Sequence, residues 1–443
     1  MDFESLKNKK IKHVSKLIEQ GQVCPEELTR FYLEKISNDP TAKDTFTEVF
    51  KRSALDSAIE SKKRTKAGLR KGALDGIPIS VKDLADIKGK LTAGGSSLTH
   101  KKKAENNAVF VDVLKSQGVI ILGKTHMTAL GFSGIGLNPI PATPLNPFDA
   151  ELVSGGSSSG SAVSVSRNYC LASIGSDTGG SVRIPAAWNN LVGLKTTHNI
   201  IDLTGVLKLC PSFDTLGPIC KNVDDTNLLF SAMTNSRFQN LRNYRSGDLK
   251  FLIIKNMFFE EIDSDISDSF NVAIDKIITS GANVEYKTIS EIDRAFEISK
   301  TVFPAEAYGM WGHEIEKSPE KMFAPIRERF RSGQHVLAHE YVLSLQKLYE
   351  LRKSFLRKFE GFDAILAPTS PIKPPNISQL LYDHEFFTKQ NLLALRNTRF
   401  ANSLNLCALT LPTETHFSGL MLMGRPNNEF DLMSIALAIE KIK

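Results

Sequence analysis

At 443 residues, 41% apolar and 23% charged, the chain is long enough to bury a large core, as one big α/β unit or two or three smaller ones. Its net charge of +6, with no long basic block beyond Lys101-Lys102-Lys103, argues against direct nucleic-acid binding. Five scattered cysteines without a CxxC, the absence of any apolar run of about 18 residues, and a charged start (MDFESLKNKK) argue against a disulfide frame, a zinc site, a membrane span and a secretory leader, so a cytoplasmic protein without cofactor or metal is expected.

In chain order, Ile11, Val14, Leu17 and Ile18 recur at helical spacing within 5–20, and Gly21 stops that helix. Pro25, Glu26 and Glu27 open a second helix carrying Leu28, Phe31, Tyr32 and Ile36, and a third runs from 50 to about 63. Residues 1–70 therefore read as a helical N-terminal cap with no chemistry of its own. Asp75-Gly76 is a turn, and 77–81 is a short buried strand that delivers Lys82 at its end. A helix over 107–117 leads into a strand at 119–122, closed by Gly123-Lys124-Thr125. Beyond a Pro- and Asn-rich loop, 138–147, comes a stretch crowded with small residues at both ends: Gly155-Gly156-Ser157-Ser158-Ser159-Gly160-Ser161, an apolar run 170–174, then Asp177-Thr178-Gly179-Gly180-Ser181. Segments 192–195 and 212–218 read as rigid connections around the sheet. Strands at 250–254 and 283–288 flank a helix near 265–280, a continuing βαβ pattern. Residues 291–360 are mostly helical and polar, 362–366 is a strand closed by Pro368, and strands at 406–411 and 419–424 precede an amphipathic helix near 429–441. No repeat, low-complexity segment or clean linker divides the chain, so one large domain is expected.

Two serine-bearing glycine turns on either side of a helix and a short strand make a hydroxyl-rich pocket. The bland alternative is a pair of flexible turns. Lys82 at a buried strand end is unusual because burying its charge is expensive, unless it snorkels to water. An amide hydrolase needs a nucleophile, a proton acceptor and donors for the developing oxyanion. Histidine is the usual acceptor, but the nine histidines are scattered, and His126 and His198 read as structural. Neither HExxH nor a GxxxxGK[ST] loop is present, so metal and nucleotide chemistry lack support.

Lys82, Ser157 and Ser181 resemble the catalytic set of the amidase signature family, serine hydrolases with a Ser–Ser–Lys triad. The resemblance runs from about residue 70 to 225. It rests on Gly76-Ile77-Pro78-Ile79-Ser80-Val81-Lys82-Asp83, Gly123-Lys124-Thr125, Gly155-Gly156-Ser157-Ser158, Asp177-Thr178-Gly179-Gly180-Ser181-Val182-Arg183 and Gly193-Leu194-Lys195. Weaker similarity continues through Ala367-Pro368-Thr369-Ser370-Pro371 and Met423-Gly424-Arg425-Pro426. The resemblance implies a single α/β domain over 1–443, its central mixed sheet covered by helices on both faces: the cap at 1–70, a signature core at 71–225, and the remaining sheet and substrate-side helices at 226–443. It implies Ser181 as nucleophile, Ser157 as a bridging serine after a cis peptide bond to Gly156, Lys82 as general base, and the backbone N–H groups of Thr178, Gly179, Gly180 and Ser181 as the oxyanion hole. Arg329, by its position before Gly333, resembles a substrate arginine, with a solvated charge run as the alternative. Tyr308 is a further candidate for the pocket wall, and Arg183 is expected to brace the nucleophile loop.

Three positions depart from the family pattern: Ser159 stands where glycine is common, Thr196 where proline follows the lysine, and the turn 413–419 lacks the usual Gly-Leu-Pro. The expected activity is hydrolysis of a small amide to a carboxylate and ammonia or an amine, by a free-standing enzyme that could be a homodimer. The alternatives are the glutaminase component of a tRNA-dependent amidotransferase, which would work with partner subunits, and a non-catalytic binding relative. A lysine base must also be neutral. At an ordinary pKa only about one lysine in 2,500 is uncharged at pH 7, so burial has to depress Lys82, and Asp83 should face away from it.

Overall fold

The computed structural model describes residues 3–99 and 102–442; Lys101 of the basic cluster lies outside the described residues. Eleven strands build one mixed sheet: β1 (Phe46–Val49), β2 (Pro78–Lys82), β3 (Ile120–Thr125), β4 (Ala172–Ser176), β5 (Val192–Lys195), β6 (Leu216–Cys220), β7 (Lys250–Ile254), β8 (Asn283–Lys287), β9 (Ala364–Pro368), β10 (Cys407–Pro412) and β11 (Gly419–Gly424). Their spatial order is β1-β3-β2-β4-β6-β5-β10-β11-β9-β7-β8. β2 runs parallel to both β3 and β4, and β7 parallel to β8 and β9; the remaining neighbours are antiparallel.

β2 shows why this sequence forms a central strand. All five of its residues are buried, as expected where helices cover both faces of parallel strands. Pro78 takes the first position, where its missing N–H disturbs the ladder least. Alternation along the strand sends Ser80 and Lys82 to one face and Ile79 and Val81 to the other. On the first face the short helix Ser159–Ser166 lies close, and Ser80 Oγ meets Ser164 Oγ at 2.8 Å and Ser173 Oγ at 2.7 Å. At the start of this helix Gly160 lets it pass close to the chain before β1, since a Cβ there would fall 2.5 Å from the carbonyl oxygen of Thr45. Four apolar clusters fill the space between sheet and helices.

Three differences from the sequence reading concern the sheet and its cover. Segments 192–195 and 216–220 are paired strands rather than connections, glycine and proline in them notwithstanding, because each is fully buried between neighbours. Phe46–Val49, inside the presumed all-helical cap, is an edge strand antiparallel to β3. The sequence reading also passes over the helix His384–Ser403. Its buried residues mix Phe387, Ala394, Leu395 and Phe400 with Arg396, Asn397, Thr398, Arg399 and Asn402, so hydrophobic periodicity is interrupted there.

Candidate active site

β2, β3 and β4 end on the same side of the sheet, and the site forms outside those carboxyl ends, where open α/β sheets characteristically bind ligands. Lys82, the last residue of β2, is 1% exposed. Its Nζ hydrogen-bonds Ser157 Oγ at 2.7 Å and Ser176 Oγ, at the end of β4, at 2.8 Å. Burial pushes the amine down to about 7, against the opposing pull of the Asp177 and Asp214 carboxylates. Asp83 faces away, as the sequence argument requires: its Oδ1 lies 3.0 Å from Lys124 Nζ, and both groups are buried.

Ser157 follows a cis peptide bond from Gly156 and immediately precedes the helix Ser159–Ser166. The N–H of Ser158 donates to the carbonyl oxygen of Ser181 at 3.2 Å, which lays the two serine turns against each other. Ser181 is 4% exposed, and its hydroxyl makes no hydrogen bond among the described residues. The structure thus gathers Lys82, Ser157 and Ser181, with Ser176 as a second hydroxyl on the lysine. Nothing in the spacing of the sequence marks Ser176; only the parallel pairing of β2 with β4 brings it there.

Asp177 orders the glycine turn. Its Oδ1 accepts the N–H of Gly180 at 2.8 Å and its Oδ2 accepts the N–H of Val182 at 3.1 Å. Arg183 forks onto the same carboxylate through Nε at 3.0 Å and Nη2 at 2.9 Å, and also reaches Asn402 Oδ1 and the carbonyl oxygen of Thr398. Burial alone would raise the Asp177 carboxyl, but the Arg183 charge and hydrogen bonds hold it well below the ordinary range. The expectation that Arg183 braces this loop is met. Gly180 sits at φ +138° with Thr398 Oγ1 only 2.1 Å from where a Cβ would lie, so no other residue fits there. Of the four N–H groups expected to form an oxyanion hole, that of Gly180 donates to Asp177, and those of Thr178, Gly179 and Ser181 make no hydrogen bond among the described residues. Arg183→Met is expected to lower the unfolding free energy by about 3–5 kcal/mol, because it strands a buried carboxylate, and thermal or denaturant unfolding measures this directly. Arg183→Lys should recover little, since lysine lacks the planar fork.

A small cleft opens at Ser181, lined among others by Phe132, Thr178, Gly179, Leu395, Arg329 and Arg399. Arg329 is therefore not part of a solvated charge run: its Nη1 donates to the carbonyl oxygen of Phe132 at 3.0 Å and its guanidinium lies 4.2 Å from that ring's centre. Tyr308 does not line this cleft. Its ring packs along its own helix, Ser290–Lys317, against Gly312, where a Cβ would lie 2.8 Å from Tyr308 Cζ, and its hydroxyl interacts with Glu316. His198 Nε2 hydrogen-bonds the carbonyl oxygen of Pro211 at 2.8 Å, a structural role. A larger apolar groove between the helix Ser264–Thr279 and the turn after β10 shares no residue with the Ser181 cleft.

Known proteins resemble this chain to different extents. Residues 27–433 match the model of the family described as Amidase. The 2-amino-5-chloromuconic acid deaminase of Comamonas testosteroni is 32% identical over 382 residues, 84% of this chain and 82% of that protein. The A subunit of the glutamyl-tRNA(Gln) amidotransferase of Ruminiclostridium cellulolyticum is 29% identical over an alignment of 472 positions, spanning 97% of this chain and 96% of the relative. The solved structure of a fatty acid amide hydrolase superposes with a TM-score of 0.89 over the whole of this chain and 86% of the other; at 20% identity this likeness speaks for the fold alone.

Proposed function

The chain belongs to the amidase family, and on that premise we propose that it hydrolyses the C–N bond of a small amide through an acyl-enzyme on Ser181. One observation carries this reading: a buried amine with its pKa drawn down to about 7 lies 2.7 Å from the Ser157 hydroxyl, in contact with a turn whose Ser181 hydroxyl is unengaged and borders a cleft.

The chemistry follows from those positions. Uncharged Lys82 takes the proton of Ser157 as Ser157 takes that of Ser181, and Ser181 Oγ forms a bond to the amide carbon. Negative charge that develops on the carbonyl oxygen meets the N–H groups of Thr178, Gly179 and Ser181; one such donor is worth roughly 10²–10³ in rate. The proton returns through Ser157 to the leaving nitrogen, the C–N bond breaks, and ammonia or an amine departs. Water, deprotonated by the same relay, then cleaves the ester. Ser176 would hold the Lys82 amine aimed at Ser157 while the proton moves. Arg329 would face the acyl group of the bound amide. No helix among the described residues is long and apolar enough to cross a membrane.

The test is labelling with a fluorophosphonate probe, together with an ammonia-release screen over short aliphatic, acidic and amino-acid amides. Stoichiometric labelling that is lost in Ser181→Ala, with turnover of at least one amide, is the expected result. Folded protein that neither labels nor releases ammonia would favour a binding role instead. The similarity over nearly the whole chain to a component of the glutamyl-tRNA(Gln) amidotransferase sustains a second reading, a glutaminase that passes ammonia to a partner. Isolation from the native cell as a stoichiometric complex with further subunits would replace the first reading by this one.

A further inference from the structure

Past their last ladder pair, Ser176 with Leu216, β4 and β6 part in two steps. Asp177 and Thr215 still bond through the backbone, the N–H of Asp177 donating to the carbonyl oxygen of Thr215 at 2.8 Å. One residue further, where the antiparallel register sets Thr178 opposite Asp214, the ladder has ended and side chains take over. Thr178 Oγ1 donates to Asp214 Oδ1 at 2.6 Å, the one hydrogen bond that Thr178 makes among the described residues. Its neighbours in the nucleophile turn have other anchors: the carbonyl of Gly179 is held by Thr398 Oγ1, and the N–H of Gly180 by Asp177. Asp214 is 7% exposed and pairs with no cation among the described residues. Its Oδ2 accepts the N–H of Leu209 at 2.8 Å and that of Cys210 at 3.1 Å, so one carboxylate closes the turn 209–214 and ties it to Thr178. That charge works against the base, because it favours the ammonium form of Lys82. An asparagine could reach the same partners without that cost, but only through neutral, longer bonds. The separation of 2.6 Å is that of a hydroxyl on a charged oxygen, roughly twice as strong as a neutral bond.

We propose that Asp214 is a positioning residue for acyl transfer: through Thr178 Oγ1 it fixes the Thr178 N–H where the substrate's carbonyl oxygen becomes negatively charged. This rests on the reading of Ser181 as nucleophile. The Thr178 N–H is unengaged and Thr178 borders the Ser181 cleft, so the backbone there has left the sheet with its donor free. A donor freed from a ladder has nothing of the backbone left to aim it, and here the side chain supplies that restraint. The restraint matters because a preorganised donor stabilises the transition state without reorganising, and a misplacement of about 1 Å can cost about 10²-fold in rate. The turn 209–214 thereby becomes part of the support of the site, although it touches no reacting atom.

The experiment compares the parent with Thr178→Val, Thr178→Ser, Asp214→Asn and the double variant Thr178→Val with Asp214→Asn. It reads the limiting rate of fluorophosphonate labelling and the steady-state kinetics on the amide turned over fastest in the ammonia-release screen. Both are taken at about pH 9, on the alkaline side of the Lys82 midpoint. Thr178→Val should lower kcat and the limiting labelling rate by about 10–100-fold with KM within about threefold of the parent, because the lost contact serves the transition state and not the bound amide. Thr178→Ser should restore most of the loss, and Asp214→Asn should fall between parent and Thr178→Val. The double variant should be no slower than Thr178→Val, since the two residues act as one unit. The acid limb of Thr178→Val should keep the parent's midpoint, because the Asp214 charge remains beside Lys82. A bond that serves only the fold would lower the melting temperature and leave kcat unchanged. That result, a loss confined to KM, or single effects that multiply in the double variant would overturn the proposal. If Thr178→Val does not fold, Asp214→Asn carries the same test, a fall in kcat at constant KM supporting the proposal and a parental kcat overturning it. The two readings fail separately. A parent that neither labels nor turns over an amide overturns both, whereas a reactive parent matched by its variants overturns this one alone.

Discussion

Ser181→Ala is expected to reduce kcat/KM by roughly 10⁴-fold or more on whichever amide the enzyme turns over, with KM little changed. The hydroxyl that would form the acyl-enzyme has no substitute within the site, and Ser157, the other candidate, is hydrogen-bonded to Lys82. Because the Ser181 hydroxyl makes no hydrogen bond among the described residues, its loss should leave stability within about 0.5 kcal/mol of the parent, so that the loss of activity is not a loss of fold. Ser157→Ala breaks the relay and also removes one of the two hydroxyls on Lys82, so it should cost nearly as much in rate and more in stability. The double variant then distinguishes a relay from two independent contributions. Residues that act as one unit are strongly non-additive, so Ser157→Ala with Ser181→Ala should be no slower than Ser181→Ala alone. Rate losses that simply multiply would show that Ser157 does not lie between base and nucleophile. Steady-state kinetics on the four proteins, with melting curves as the folding control, provides the measurement.

Much of this site is legible in the sequence because it sits where local rules conflict. A lysine at the end of a strand with five buried residues, and serines within glycine-crowded turns, are choices that stability alone does not favour. The parts that are not legible depend on partners remote in the chain. Ser176 becomes a ligand of Lys82 only through the parallel register of β2 and β4. The N–H of Gly180 cannot be told from its neighbours until Asp177 is seen to take it. Helix His384–Ser403 escapes notice because polar side chains interrupt the apolar ones on its buried face, and several of them meet the nucleophile turn or the cleft. Thr398 Oγ1 holds the carbonyl of Gly179 at 2.7 Å, Asn402 meets Asp177 and Arg183, and Arg399 enters the cleft. Tyr308 is likewise hard to place from the sequence: it sits on a long helix, its ring lies against Gly312 one turn on, and it packs on the apolar cluster around Phe303.

The pH dependence tests the base itself. With Lys82 drawn down to about 7, about half of it is uncharged at neutral pH, a gain of roughly a thousandfold over an ordinary lysine. The active form is the deprotonated one, so log kcat/KM should rise with unit slope on the acid side and level off above a midpoint near 7. Asp214 complicates the assignment, because burial raises its carboxyl to about 6, close enough to produce an acid limb of its own. Two variants separate the groups. Asp214→Asn removes a negative charge that favours protonated Lys82, so a limb owned by the lysine should persist and move to lower pH, whereas a limb owned by Asp214 should vanish. Lys82→Arg keeps a cation at the end of β2 but cannot release its proton near neutrality, and should lose about 10²–10⁴-fold in kcat/KM together with the limb. A Lys82→Arg enzyme that retained parental activity, or an Asp214→Asn profile displaced upward, would mean that the proton leaves Ser181 by another route.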